Sequence, residues 1–275
     1  MKNKHIILLT SVGTVALAGL IIAKRKNTQN YSQEVRQLFS LANDVSDNIF
    51  HYQQLEGLPQ PVQRYFRHVL PDQYSYISTV RLTHEGQFKT GPKKAWSNIK
   101  GEQFFTAAPP GFVWKGRTAL FSAVDKYVVG RGSLSVTLAS LIGVVHVEGA
   151  SVDQGELLRW LGESVWFPTN LLPNERLSWL PIDENTAKLS YNYSNQSLYY
   201  VVAFNELGEI IRLQTKRYIS EDKLETWVGE LLDYQVMNGV KIPTRIRATW
   251  KLPEGDYTYV NFRLRKIEYN YYESF

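Results

Sequence analysis

The chain has 275 residues and a formal charge of +5, but the excess is local. Lys2, Lys4, Lys24, Arg25 and Lys26 all precede the first acidic residue, and the other 26 basic side chains balance 26 acidic ones. A neutral body lacks the electrostatic footprint of a nucleic-acid binder, so no nucleic-acid partner is expected. The absence of cysteine excludes disulfides, thiolate metal sites, a cysteine nucleophile and lipidation of an N-terminal cysteine.

Ile6 to Ala23 contains only apolar, Gly, Ser and Thr side chains. As a helix it would cover about 27 Å of a hydrocarbon core roughly 30 Å thick. Ala16-Leu17-Ala18 has the small residues of a signal-peptidase site, but the apolar run continues past it to Lys24-Arg25-Lys26. Residues 1–26 are therefore expected to be an uncleaved, single-pass anchor whose partner is the lipid bilayer. Basic residues flank both ends almost equally. The domain is expected on the extracytoplasmic side of the cell membrane.

Residues 27–72 read as a linker and two short helices. Glu34, Val35, Leu38, Phe39 and Leu41-Ala42 repeat at helical spacing and predict an amphipathic stalk. Pro59 to Val69 predicts a second helix, with proline in its first turn and Val62, Tyr65, Phe66 and Val69 on one face. Pro71 ends it.

Residues 73–275 read as an antiparallel β domain with an inserted helix near 153–166. Strands are predicted at Tyr76 to Thr83, Lys94 to Ile99, Phe112 to Thr118, Ser122 to Val129, Gly132 to Leu138 and Ala187 to Tyr193. The alternation of Val144-Val-His-Val-Glu148 suggests another. A hairpin is predicted around Glu206-Leu-Gly208, joining Leu198 to Phe204 with Glu209 to Tyr218. Asn238-Gly239 favours a type I′ turn, and Pro253-Glu-Gly-Asp256 a second, so Trp227 to Tyr271 reads as a three-stranded meander. Parity changes between Leu264 and Ile267, which predicts a β-bulge near Arg265-Lys266. About ten strands in 200 residues call for strong curvature, so the fold class is mainly β (α+β), a strongly curved antiparallel sheet or half-barrel with a few short helices. In the inserted helix Asp153 is expected to cap, with Leu157, Leu158, Trp160, Leu161 and Val165 as its apolar side.

Motifs for chemistry are sparse. The five histidines, His5, His51, His68, His84 and His146, form no ligand pair, so no metal or cofactor is expected. Ser97-Asn-Ile-Lys100 and Ser220-Glu-Asp-Lys223 match Ser-x-x-Lys, but the first falls in a strand, where that motif has no catalytic context. Glu156, Arg159 and Glu163 share the other side of the inserted helix at i, i+3 and i+7. They fit either an acid/base pair with a guanidinium clamp or a surface salt-bridge ladder worth about 0.2–0.5 kcal/mol per pair.

A group of short motifs carries a family resemblance: Leu58-Pro-x-Pro-Val-Gln-Arg-Tyr-Phe-Arg67, Pro110-Gly-Phe-Val-Trp-Lys115, Asp125-x-Tyr127 with Gly130-x-Gly132, Gly155-Glu-Leu-x-Arg159, Glu163-x-x-Trp166-x-Pro-Thr169 and Leu171-Leu-Pro173. Over most of residues 55–270 the chain resembles a bacterial family known as a domain of unknown function, whose members carry an N-terminal membrane segment. The resemblance supplies positions without roles. At the level of architecture, many antiparallel strands with short helices are similar to lipoprotein-carrier half-barrels, which hold acyl chains.

The leading expectation is a non-catalytic domain whose curved sheet encloses an apolar pocket for a lipid or similar amphiphile. Trp96, Trp114, Trp166, Trp179 and Trp250 are candidates to line it, with Lys115, Arg159 or Glu163 near its mouth. Together with the motif positions, the expected ligand-binding residues are Trp114, Lys115, Asp125, Tyr127, Glu156, Arg159, Glu163 and Trp166. Two other readings remain open. One is an envelope hydrolase or transferase acting through Glu156, Asp125 or Glu163; the other is a structural subunit of an envelope complex.

Overall fold

The computed structural model describes residues 28–138 and 142–275. The expected membrane segment lies outside them, and among the described residues no helix is long and apolar enough to cross a membrane.

Residues 28–40 form the first helix, α1. Tyr31, Val35, Leu38 and Phe39 recur at three- and four-residue steps, so they share one face. That face is buried against Phe104 and Val113 of the main sheet. The predicted stalk is thus a docked helix, because it has an apolar partner to cover. Strands β1 (Ile49–Phe50) and β2 (Tyr74–Ser75) pair around a 3₁₀ turn and α2 (Gln60–Val69). Pro59 and Pro61 pre-set the start of α2, and Val62, Tyr65, Phe66 and Val69 form its buried face as predicted.

The remaining strands are β3 (Thr79–Phe88), β4 (Ser97–Thr106), β5 (Gly111–Arg117), β6 (Phe121–Val128), β7 (Arg131–Leu138), β8 (Ile142–Glu148), β9 (Leu177–Asp183), β10 (Thr186–Tyr193), β11 (Gln196–Phe204), β12 (Ile210–Tyr218), β13 (Leu224–Met237), β14 (Val240–Leu252) and β15 (Gly255–Tyr269). They make one 13-stranded antiparallel sheet ordered β8-β7-β6-β5-β4-β3-β15-β14-β13-β12-β11-β10-β9. The edges β8 and β9 do not pair, so the sheet is not closed. Asn238 and Gly239 both take positive φ in the β13–β14 turn. The predicted bulge lies between Leu264 and Lys266 and returns Leu264 and Ile267 to the same face.

Curvature follows from the inserted helix α3 (Ala150–Glu163), which touches both β7 and β12. Those strands stand eight places apart in the sheet. At about 4.8 Å per strand a flat sheet would separate them by roughly 38 Å, whereas a helix is about 10–12 Å across. The sheet therefore curls around α3. Asp153 does not cap this helix: Gly149 is the capping position, and the Asp153 carboxylate accepts the Gly132 N–H at 2.6 Å and pairs with Arg131 at 3.2 Å. It ties the helix start to β7. Val165 and Trp166 lie beyond α3, in a 3₁₀ turn.

The enclosed face has two halves. Around α2 and the C-terminal half of α3 it is solid, with Val80, Leu82, Phe105, Phe112, Leu157, Trp160, Leu161, Phe167 and Ile267 in one buried cluster. Toward the turns at residues 89–96, 118–120 and 253–254 no helix covers it. Ile246 and Phe262 are half-buried there, as are Phe88, Trp227 and Tyr259.

Candidate functional site

The boundary between these halves is ionic. Gln103, Trp114 and Asp125 are successive cross-strand neighbours on β4, β5 and β6, so one row of inward side chains crosses three strands. Opposite it, α3 presents Glu156, Arg159 and Glu163, and β12 presents Arg217. Arg159 donates through Nε to Glu163 Oε1 at 3.0 Å and through Nη1 to Asp125 Oδ2. Gln103 donates through Nε2 to Glu163 Oε2 at 2.7 Å, and Arg217 through Nη2 to Glu156 Oε1 at 3.2 Å. The side chains of Arg159, Glu163 and Arg217 are only 16%, 19% and 14% exposed. The surface ladder is excluded: this face of α3 is enclosed because the sheet curls over it.

Three carboxylates against two guanidiniums leave one negative charge in excess. Burial, followed by the neighbouring Asp125 carboxylate, pushes the Glu156 carboxyl up to about 8, and Glu156 hydrogen-bonds Asp125. Glu156 Oε2 and Asp125 Oδ1 have no other partner. A proton on Glu156 satisfies both oxygens and makes the cluster neutral. Burial also raises Glu163, against the lowering effect of Arg159. For Arg159 burial opposes the charged form, but Glu163, Asp125 and Glu156 outweigh it and hold the guanidinium charged.

Beyond the ions the open half has an aromatic floor. Trp114 lies flat over Gly116, where a Cβ would sit 2.3 Å from the indole ring; Gly229 gives the Trp227 ring the same room, with a Cβ at 2.8 Å. Trp114 Nε1 donates to His84 Nε2 at 2.7 Å. His84 stacks on Phe262 with centroids 4.4 Å apart, and Arg159 stands 5.1 Å above the Trp114 ring. Burial, then the Arg159 charge, pulls His84 down to about 3. The neutral imidazole accepts through Nε2, so Nδ1 carries the hydrogen, and it has no partner. Trp227 donates to the Tyr259 hydroxyl at 3.0 Å, and Trp250 stacks on Tyr259.

Five of the expected residues thus meet here: Trp114, Asp125, Glu156, Arg159 and Glu163. Lys115 does not, because alternation sends it through the opposite face, where its Nζ stands 4.3 Å above the Tyr31 ring. Trp166 is a core residue whose indole donates to Pro243 O, and Trp179 likewise donates to Leu171 O. Tyr127 is fully buried in the solid half, cross-strand to Phe112. Trp96 stands exposed on the β3–β4 loop beneath Lys89. Of the tryptophans expected to line a concave apolar site, Trp114 and Trp250 lie on the open half of the inner face, while α2 and α3 supply enough apolar side chains to fill its other half.

Sequence reasoning missed Gln103, Arg217 and His84. Each is a lone polar residue at an inward strand position, and that parity was the available signal. A cleft of about 390 Å³ between Tyr76, Pro110, Trp160 and Arg176 lies away from the ions. No cluster suited to a metal occurs among the described residues.

A model of the family of unknown function DUF6544 matches residues 48–262. No curated protein matches the chain. Among solved structures, the chain is similar to a domain described as an outer-membrane lipoprotein-sorting protein from Vibrio parahaemolyticus, at 10% identity and a TM-score of 0.42, over 70% of this chain and 85% of that one. It is also similar to a LolA-superfamily protein from Nitrosomonas europaea, at 11% identity and a TM-score of 0.42, over 76% of this chain and 92% of that one.

Proposed function

We propose, for a chain that belongs to the DUF6544 family of unknown function, a membrane-anchored, non-catalytic domain that binds a lipid or other amphiphile on the open half of its inner face. The observation that carries the reading is the uncovered aromatic floor ending at ions. Phe262, Ile246 and Trp227 offer half-buried apolar surface, and at its inner limit stand Arg159, Arg217 and Glu163. An amphiphile has both surfaces to offer in return: a chain for the rings and a polar head for the ionic end. The His84 Nδ1–H, which has no partner, lies at that same end.

The acid/base reading rests on Glu156, whose raised pKa fits a proton donor. Its geometry favours a fixed role, since Glu156 is paired with Arg217 and Asp125 and is more deeply enclosed than Arg159. Native mass spectrometry of the full chain, released gently from its own membrane, tests the proposal. Lipid is expected on the wild type and missing from Ile246→Asp and Phe262→Asp variants whose circular dichroism is unchanged. A wild type that emerges empty from several detergents, or variants that keep the lipid, would overturn it.

A further inference from the structure

The β3–β4, β5–β6 and β14–β15 turns share one end of the sheet, and the β9–β10 and β11–β12 turns the other. At the first end the β3–β4 loop is basic, since residues 89–100 carry Lys89, Lys93, Lys94 and Lys100 with no acidic residue and Arg117 closes β5 beside Lys100. The β12–β13 and β14–β15 turns farther along carry Glu221, Asp222, Glu254 and Asp256. At the other, the turns around residues 183–185 and 205–209 carry Asp183, Glu184, Glu206 and Glu209, but Arg64 donates to Glu184 O at 3.0 Å and Lys241 stands 3.6 Å from Glu209. The end that carries the basic loop also exposes large apolar side chains at its tips: Trp96 on the β3–β4 loop, Leu138 at the end of β7, and Leu120, 72% exposed, in the β5–β6 turn.

The direction of α1 relates this end to the chain before it. Leu38 packs at Gly111, the start of β5, while Tyr31 lies over Lys115, near its end. Helix α1 thus runs antiparallel to β5. Residue 28 lies about 4.5 Å beyond Tyr31, level with the β5–β6 turn that carries Leu120. Only residues 24–27 separate that point from the apolar run Ile6 to Ala23, a span of at most about 18 Å from residue 23 to residue 28.

We infer that the basic β3–β4 loop and the neighbouring β5–β6 turn form a docking surface for the headgroup region of an anionic bilayer, with Leu120 and Trp96 inserted among the lipids and the lysines against their phosphates. Lysine beside exposed tryptophan and leucine is the composition that an anionic interface attracts. Phe88 and Tyr259 stand at this same end, so the open half of the inner face meets the bilayer. The inference rests on the membrane anchoring proposed above and adds the orientation by which an amphiphile passes between bilayer and floor.

The absence of cysteine makes a clean test. A nitroxide is placed at Leu120→Cys or at Leu207→Cys, which is 64% exposed in the β11–β12 turn, in the full chain reconstituted in nanodiscs of equal parts phosphatidylglycerol and phosphatidylcholine. The Leu120 position is expected to relax with oxygen dissolved in lipid and to be shielded from a water-soluble nickel chelate, and the Leu207 position to do the reverse. Adding Lys93→Glu and Lys94→Glu should lower the lipid exposure at Leu120 several-fold. Equal nickel exposure at both positions would overturn the inference. Lipid retention is scored separately: empty protein with Leu120 in lipid removes the carrier reading alone, and retained lipid with Leu120 in water removes the docking surface alone.

Discussion

The two halves of the inner face use the same strands to opposite ends. In the solid half, inward positions hold Val80, Leu82, Phe105 and Phe112, which share one buried cluster with side chains of α2 and α3. In the open half the same strands turn to Gly86, Phe88, Gly101 and Gly116, and the aromatic rings lie along the sheet instead of standing off it. Standing side chains fill space between layers; flat ones leave a surface. The polar row Gln103, Trp114 and Asp125 marks where one pattern becomes the other, and the ions of α3 close the solid half against water.

The difference predicts unequal responses to the same insult. Trp160→Ala, in the solid half, is expected to cost about 3–5 kcal/mol in urea unfolding, because a large fully buried ring leaves a cavity. Phe262→Ala, in the open half, should cost about 2 kcal/mol or less while reducing lipid retention. Equal losses would mean that the open half is core after all. At the boundary, Arg159→Met leaves Asp125 and Glu163 without their cation, which should cost about 3–5 kcal/mol by the same measurement.

Glu156→Gln sharpens the comparison through pH. A carboxyl raised from 4.5 to about 8 binds its proton more tightly in the folded chain. Its contribution is complete below about pH 4.5 and is lost as pH rises through about 8, at up to about 1.4 kcal/mol per pH unit. The Gln variant should lack this alkaline loss, seen as a flatter plot of unfolding free energy between pH 5 and 8. His84 works in the other direction: depressed from 6.5 to about 3, it removes stability as pH falls through that window. His84→Gln should blunt the acid side alone.

Much of the architecture was legible because its signals are local. Asn238-Gly239 sets one turn, the parity change between Leu264 and Ile267 locates the bulge, and Pro59 opens α2. Strand β9 escaped because Pro181 interrupts Leu177–Asp183; an edge strand tolerates proline where its N–H side faces away from a neighbour. The site was half legible. Asp125, Arg159 and Glu163 sit in recognisable motifs, but Arg217 reaches Glu156 from 61 positions away, and no local spacing reports such a pairing. The curl of the sheet, which turned an apparently solvated helix face into an enclosed ion cluster, is likewise a property of all thirteen strands together.

Lys115 provides the smallest and most discriminating effect. It is adjacent to Trp114 in sequence, yet period-two alternation places its ammonium on the outer face, above Tyr31 of α1. Burial lowers its pKa, followed by the effect of Arg117, with Glu102 and Glu34 opposing, so its environment is set by α1 and not by the inner-face ions. Lys115→Met keeps an unbranched stem against Tyr31 and loses a cation–π contact, a change of about 1 kcal/mol or less in urea unfolding. Lipid retention in native mass spectrometry should equal that of the wild type. A variant that folds normally but emerges without lipid would show that ligand contact reaches the outer face, and the distinction between a solid and an open inner half would no longer locate the site.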